Sequence, residues 1–322
     1  MSGAGKHKVT LLAGGVGGAK MAEGLAALPD VQLSVIGNVA DDDAFHGLWV
    51  SPDIDTLTYS LADVIDRSQG WGVADEGHRA LETLTKLGAD TWMSLGDRDF
   101  GLHIYRTMRR LRGDRPSEIA RDVARAFGVT AEILLPTDGT VQTRVRTDAG
   151  WLSFQEYFVR ERCAPEVREL AFEGLARARP TPEALEAIRA ADLIVIAPSN
   201  PLVSIAPILG IPGIADAVQA SAAPKIAVSP FIDGKVVKGP ADRMMQALGE
   251  QADALGVARR YRGLAGTLFI DHADASLAGA IRAEGLEPVC SRILMKTHED
   301  KTRLAREIVD LAFAPVHLEA TA

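Results

Sequence analysis

Cysteine is nearly absent: the 322 residues hold two, Cys163 and Cys290, far apart and with neither a CxxC nor a neighbouring histidine pattern. That excludes a disulfide framework and a cysteine-based zinc site, and both residues read as reduced structural thiols. Long apolar runs are missing as well, and nothing approaches the ~20 residues that a membrane-spanning helix needs. The opening "MSGAGKHKVTLLAGG" has neither the long apolar core nor the cleavage site of a signal peptide, so a cytoplasmic protein is expected. Positive charge is in deficit. The formal net charge of −8 argues against a nucleic-acid partner, which would call for clustered Lys and Arg. The local exception, "YRTMRRLRGDR" at 105–115, reads as a solvated helix face of which an anionic ligand could use part.

What is present is globular: 47% hydrophobic and 24% charged residues. Short β-branched or aliphatic runs ("KVTLLAGG", "LSVIGN", "ADLIVIAPSN", "PKIAVSPF", "LAGTLFIDH", "EPVCSRILM") are each followed by a segment of helical period. This alternation predicts an α/β, Rossmann-like fold with a mostly parallel sheet and helices on both faces. Residues 1–322 are read as a single domain, with a helical lobe inserted at 74–130, where three helical segments each end near a glycine. Residues 141–158 alternate and turn at Asp148-Ala149-Gly150, which predicts a hairpin. "HEDKTRLAREIVDLAFA" predicts an amphipathic closing helix. In such sheets ligands gather at the carboxyl ends of the strands. The polar or glycine-rich segments 14–20, 38–55, 198–204 and 229–239 all fall there.

"LLAGGVGGAKM" follows a strand and opens a helix, so its glycines could bring backbone N–H groups to a phosphate or could simply make a tight turn. It fits neither common template: a Walker A loop needs Gly-Lys-Ser/Thr, and a dinucleotide fingerprint wants Gly or Ala where Lys20 stands. "GNVADDDAFHGLWVSPDIDTLTY" sets five aspartates, Asp41, Asp42, Asp43, Asp53 and Asp55, into a stretch almost without cations. Asp53 or Asp55 could cap a helix starting near Thr56. Three adjacent carboxylates still repel one another, and a hard divalent ion completed by substrate phosphates is the usual solution. In "SLGDRDFGLHIYR", Asp99 and His103 are four apart and could face each other on a helix or form an ordinary surface contact. The prolines of "APSNPLVSIAPILGIPG" fix Ser199, Asn200 and Ser204 for hydrogen bonding to a ligand. Lys235 and Lys238, beside glycines and a helix start near Ala241, could neutralise a phosphate.

Taken in order, "LLAGGVGGAK", "NVADDDAFHGLWVSPDIDT", "LGDRD", "APSNPLVSI" and "VSPFIDGKVVKGPADRM" resemble the 2-phospho-L-lactate transferases of coenzyme F-420 biosynthesis, from about residue 8 to residue 313. The resemblance implies a Mg²⁺-dependent enzyme, a homodimer, that moves a phospholactyl-type group from a guanosine-diphospho donor to the terminal ribityl hydroxyl of the deazaflavin Fo, releasing GMP. It makes Asp42 and Asp55 the leading catalytic residues and Asp41, Asp42 and Asp55 the metal ligands, with Asp53 next. It puts the diphosphate near Gly14, Gly15, Gly17, Gly18 and Lys20, and the guanosine near Ser199, Asn200 and the loop of Lys235 and Lys238. Asn38, His46, Asp97 and Arg98 join the substrate-binding candidates. So does Ser94, which stands where relatives often carry a basic or amide residue. The alternative is a nucleotide-sugar-binding regulatory protein of the same superfamily, which shares the glycine loop and "ADD".

Overall fold

The computed structural model describes residues 5–314. Seven parallel strands form the main sheet: β1 (His7–Ala13), β2 (Val31–Gly37), β3 (Glu132–Leu134), β4 (Leu193–Ile196), β5 (Lys225–Val228), β6 (Thr267–Asp271) and β7 (Glu287–Ser291), in the spatial order β7-β6-β5-β4-β1-β2-β3. This is a doubly wound order, with its reversal between β1 and β4. The α/β, Rossmann-like expectation therefore holds. Six strands coincide with the apolar runs in the sequence, and β3, a three-residue edge strand, is the addition.

Successive strand residues face opposite sides of a sheet. Leu11 of β1 joins a core with Met21, Leu25, Ile54, Leu304 and Ile308, while Leu12 joins another with Ile188, Ile208, Met244 and Ile281. Burial on both faces is what makes these strands read as continuous apolar runs. On the first face lie α1 (Gly15–Ala26), α2 (Pro52–Leu61) and the helix His298–Phe313, the closing helix expected from the sequence.

Between α2 and β3 the chain forms α3 (Arg79–Lys86), α4 (Asp97–Leu111) and α5 (Pro116–Ala126). Gly88, Gly113 and Gly128 follow these helices with φ of 82°, 87° and 76°, the left-handed conformation that ends a helix without a Cβ penalty. The 141–158 hairpin is shorter than expected. Gln142–Thr147 pairs with Gly150–Ser153 around Asp148-Ala149, Glu156–Arg160 then coils into a π-type turn, and Glu169–Glu173 adds a third strand. No single helix among the described residues is long and apolar enough to cross a membrane.

Candidate active site

At the sheet's reversal point, β1 runs into the glycine loop and β4 into Pro198–Ser204. The two loops are stitched together: the Gly14 N–H donates to Ser199 Oγ (3.1 Å), and the same hydroxyl donates to the Gly14 carbonyl (2.7 Å). Glycine is required by this closeness. A Cβ at Gly17 would overlap the Pro198 carbonyl oxygen, and one at Gly18 would sit 2.9 Å from Ser199 Oγ. Helix α1 starts at Gly15 with no acid in its own first turn, its N-cap Gly14 offers no side chain, and its positive end lies at the crevice, where Asp53 accepts from the Gly15 N–H.

The acids meet this helix end. After β2, the chain turns through a small hairpin, Asp43–Phe45 against Leu48–Val50, whose tip His46-Gly47 has φ of 52° and 77°. The hairpin returns the chain to α2, which begins at Pro52 and not near Thr56, because proline suits a first helical position. Asp53 and Asp55 therefore lie inside the first turn, and neither caps the helix. Asp53 Oδ2 accepts from Asn38 Nδ2 (2.9 Å) and would lie 2.6 Å from a Cβ on Gly14, which places it against the glycine loop. Asp42 Oδ2 accepts from Ser51 Oγ (2.7 Å) and Trp49 Nε1 (3.2 Å). Asp41 Oδ1 and Asp42 Oδ1 are buried with no hydrogen-bond partner.

Burial dominates the titration of all of these acids. It pushes Asp42 up to about 7, against the hydrogen bond from Ser51 and the charge of Arg106. Asp53 rises to about 6, held back by Asn38 and the Gly15 N–H. Asp41 rises well above its ordinary value, because burial and then the neighbouring Asp53 charge raise it while Thr143 and Asn38 oppose them. Burial also raises Asp55, opposed by the charge and hydrogen bonds of Arg106. Asp41 and Asp42, consecutive in the chain, each keep one carboxylate oxygen without a partner, and such oxygens are the hard donors a divalent cation takes. Among the described residues, no three His, Cys, Asp or Glu side chains converge into a metal site by themselves.

Asp55 is committed elsewhere. Arg106 donates to both of its oxygens, one bond measuring 3.1 Å, and also to His103 Nδ1 (3.1 Å). Tyr59 OH donates to Asp99 Oδ1 (2.7 Å). Asp99 and His103 thus bond to different partners, and His103 is buried, which corrects the reading of this pair as a surface contact. Arg106 likewise departs from the solvated face expected for the basic run. It lies in helical phase with Phe100 and His103 on the inner side of α4, a spacing that marks it as buried.

A cavity of about 450 Å³ joins these features. Its polar lining includes Gly14, Gly15, Gly17, Asp41, Asp53, Asp55, Asp99, His103, Ser199 and Asn200, with Ser94 and Ser204. Its apolar lining includes Val50, Tyr59, Met93, Leu95, Val159 and the stacked pair Phe154 and Phe158, rings 5.6 Å apart. Lys238 also lines it, donating to the Gln69 carbonyl with its ammonium 4.0 Å from the Trp71 ring centre. Burial, then the charge of Lys20, lowers its affinity for the proton. Lys20 is partly buried on α1 and is shifted the same way by burial and by Lys301, with Glu23 opposing.

Several candidates from the sequence lie outside this lining. Asn38 supports Asp53 from behind, and Asp42 supports the Ser51–Trp49 corner. His46 is a turn residue whose Nε2 meets the Met93 carbonyl (2.8 Å). Asp97 caps α3 by accepting from the Ala80 N–H (3.0 Å), and exposed Arg98 bonds the Ala74 carbonyl (3.1 Å). Lys235 is exposed on the two-residue strand Lys235–Val236, and Gly18 and Lys20 stand behind the loop's front row. Tyr59, Gln69, Trp71, Phe154 and Phe158 line the cavity with no sequence motif to announce them. Arg106 and His103 had a signal in their shared phase with Phe100.

The family model "2-phospho-L-lactate transferase CofD" matches residues 9–304. The chain is 38% identical to a phosphoenolpyruvate transferase of Streptomyces griseus, over 95% of this chain and 98% of that protein. It is also 38% identical to a 2-phospho-L-lactate transferase of Methanopyrus kandleri, over 94% and 96%. Among solved structures, protein BH3568 of Bacillus halodurans is similar in fold, with a TM-score of 0.63 at 18% identity over 94% of this chain and 99% of that one.

Proposed function

This chain belongs to the 2-phospho-L-lactate transferase CofD family, and from that premise we propose that it moves a three-carbon phosphoacid group from a guanosine-diphospho donor to the ribityl hydroxyl of the deazaflavin Fo, releasing GMP, as a step of coenzyme F-420 biosynthesis. The group is of the phospholactyl, phosphoenolpyruvyl or phosphoglyceryl type. The observation that carries this reading is the meeting, in one cavity, of a helix N-terminus with buried carboxylates. The first attracts phosphate; the second repels it unless a cation stands between them.

Asp41, which lines the cavity, would hold Mg²⁺, with Asp42 behind it in the chain as the second carboxylate, and when bound it supplies neutralisation of charge on the donor's phosphate oxygens. Because no three His, Cys, Asp or Glu side chains converge there among the described residues, the donor's phosphates would complete the set. Asp55 is left out of it because Arg106 occupies both of its oxygens. The amides at the start of α1 grip the diphosphate, and Lys238 adds positive charge at the same wall. The acceptor hydroxyl oxygen forms a bond to the donor phosphorus as the bond to the GMP oxygen breaks. Asp53, its carboxyl pushed up to about 6 by burial, takes the hydroxyl proton. Phe154, Phe158 and Tyr59 give a flat ring system the apolar, stacking surface it needs.

The test is to incubate the purified protein with Fo, Mg²⁺ and guanosine-diphospho donors carrying lactate, enolpyruvate or glycerate, and to follow GMP and product by chromatography. GMP release dependent on Fo supports the reading. No release with any of the three donors overturns it.

A further inference from the structure

His103 is 2% exposed, yet it lines the cavity. Its Nδ1 receives a hydrogen bond from Arg106 at 3.1 Å. A guanidinium carries donors only, so Nδ1 must be the acceptor, and an imidazole that accepts at Nδ1 is neutral with its proton on Nε2. Asp55 Oδ2 lies 3.8 Å from the same nitrogen, beyond hydrogen-bond reach, and is itself satisfied by Arg106. No carboxylate therefore competes for a proton on Nδ1.

The other nitrogen, Nε2, has no partner among the described residues and is not among the polar atoms sealed off from solvent. Its neighbours are already engaged. Tyr59 gives its hydroxyl proton to Asp99, whose second oxygen accepts from the Gly96 N–H (3.4 Å). The Asp55–Arg106 pair beside it is neutral overall. What remains is one uncharged N–H donor of fixed direction, on the wall that α2 and α4 make together, whereas the amides suited to phosphate belong to α1.

We infer that His103 donates a hydrogen bond from Nε2 to an uncharged oxygen or nitrogen of the acceptor substrate and so positions that substrate against the α2–α4 wall. An uncharged donor discriminates for a ring carbonyl, ring nitrogen or hydroxyl and gives little to an anion, which gains far more from a charged donor. The inference rests on the transferase reading above, in which Fo is the acceptor.

Two substitutions separate this role from mere bracing of Arg106. In His103→Asn the amide oxygen takes the place of Nδ1 and keeps the bond from Arg106, but no donor stands at the Nε2 position. In His103→Gln the amide nitrogen reaches the Nε2 position and the Nδ1 acceptor is lost. Calorimetric titration with Fo should show the Asn variant weakened about 10-fold and the Gln variant recovering most of that loss, with the KM for the guanosine-diphospho donor within about 2-fold of the parent in both. Loss in Gln with near-normal binding in Asn, or equal loss in both, overturns the inference. Long-range ¹H–¹⁵N spectra of the parent protein give an independent reading. They should show a protonated Nε2 and a bare Nδ1, with the Nε2 signal moving as Fo saturates the site; a signal indifferent to saturating Fo overturns the inference even if neither variant folds. A parent protein that does not bind Fo overturns the transferase reading itself, whereas Fo binding with the wrong ranking of variants overturns only the role of His103.

Discussion

Arg106 and Asp55 close a full ion pair inside the cavity wall, both side chains more than nine-tenths buried and both carboxylate oxygens occupied by one guanidinium. Removing either partner strands the other. Arg106→Leu should cost ~3–5 kcal/mol of unfolding free energy, because it leaves an uncompensated buried carboxylate. Asp55→Asn combined with Arg106→Leu should recover part of that loss, and urea unfolding of the parent and the two variants measures it. A cost below ~1 kcal/mol for Arg106→Leu would mean that water reaches Asp55.

Asp42 gives the protein a pH dependence of definite sign. Its folded pKa, about 7, lies above the ordinary carboxyl value of 3.8, so its contribution to stability is fully present below about pH 4 and is lost as pH rises through 7. In chelator, Asp42→Asn should therefore raise Tm relative to the parent at pH 8 by more than it does at pH 5, with a difference of ~2 °C or more. Its amide oxygen can still accept from Ser51. Parallel shifts at both pH values would rule out the titration of Asp42 as the cause.

The glycine loop makes a steric prediction. A Cβ at Gly17 meets a backbone carbonyl and cannot turn away from it, so Gly17→Ala should push α1 off the Pro198 loop. Donor KM should rise at least ~10-fold with Fo binding little changed. Both constants come from one set of initial-rate measurements, and an unchanged donor KM would leave the loop as a turn only.

Lys235 and Lys238 look equivalent in sequence and differ in space. Lys238→Ala should raise donor KM by ~10-fold or more, as expected for loss of a charge-assisted contact, and Lys235→Ala should stay within ~2-fold. Equal effects from the two substitutions would contradict the placement of Lys238 at the cavity.

Much of the scaffold was legible because parallel strands buried on both faces read as short apolar runs. Glu132–Leu134 was not, since three residues at a sheet edge carry too little pattern to stand out. The acidic stretch announced a site but not its wiring. Which of Asp41, Asp42, Asp53 and Asp55 faces the cavity depends on the His46-Gly47 turn and on Pro52 starting α2. Neither fixes a direction until the hairpin is folded. Arg106, 51 residues from Asp55, settled the fate of that carboxylate, and a long-range ion pair leaves no trace in local spacing.

The position of β1 has a consequence for biogenesis. Its neighbours are β2, made almost at once, and β4, whose residues Leu193–Ile196 pair with Val9–Leu12. At roughly 5–20 residues per second, about ten to thirty seconds of synthesis separate the two pairings. Through that interval β1 has an open edge and Gly14 lacks Ser199. Pairing across more than 180 residues also carries a large loop-closure cost, which places the crevice among the late events of folding. A nascent chain stalled before residue 193 would display an apolar strand edge of the kind that chaperones bind and aggregates recruit.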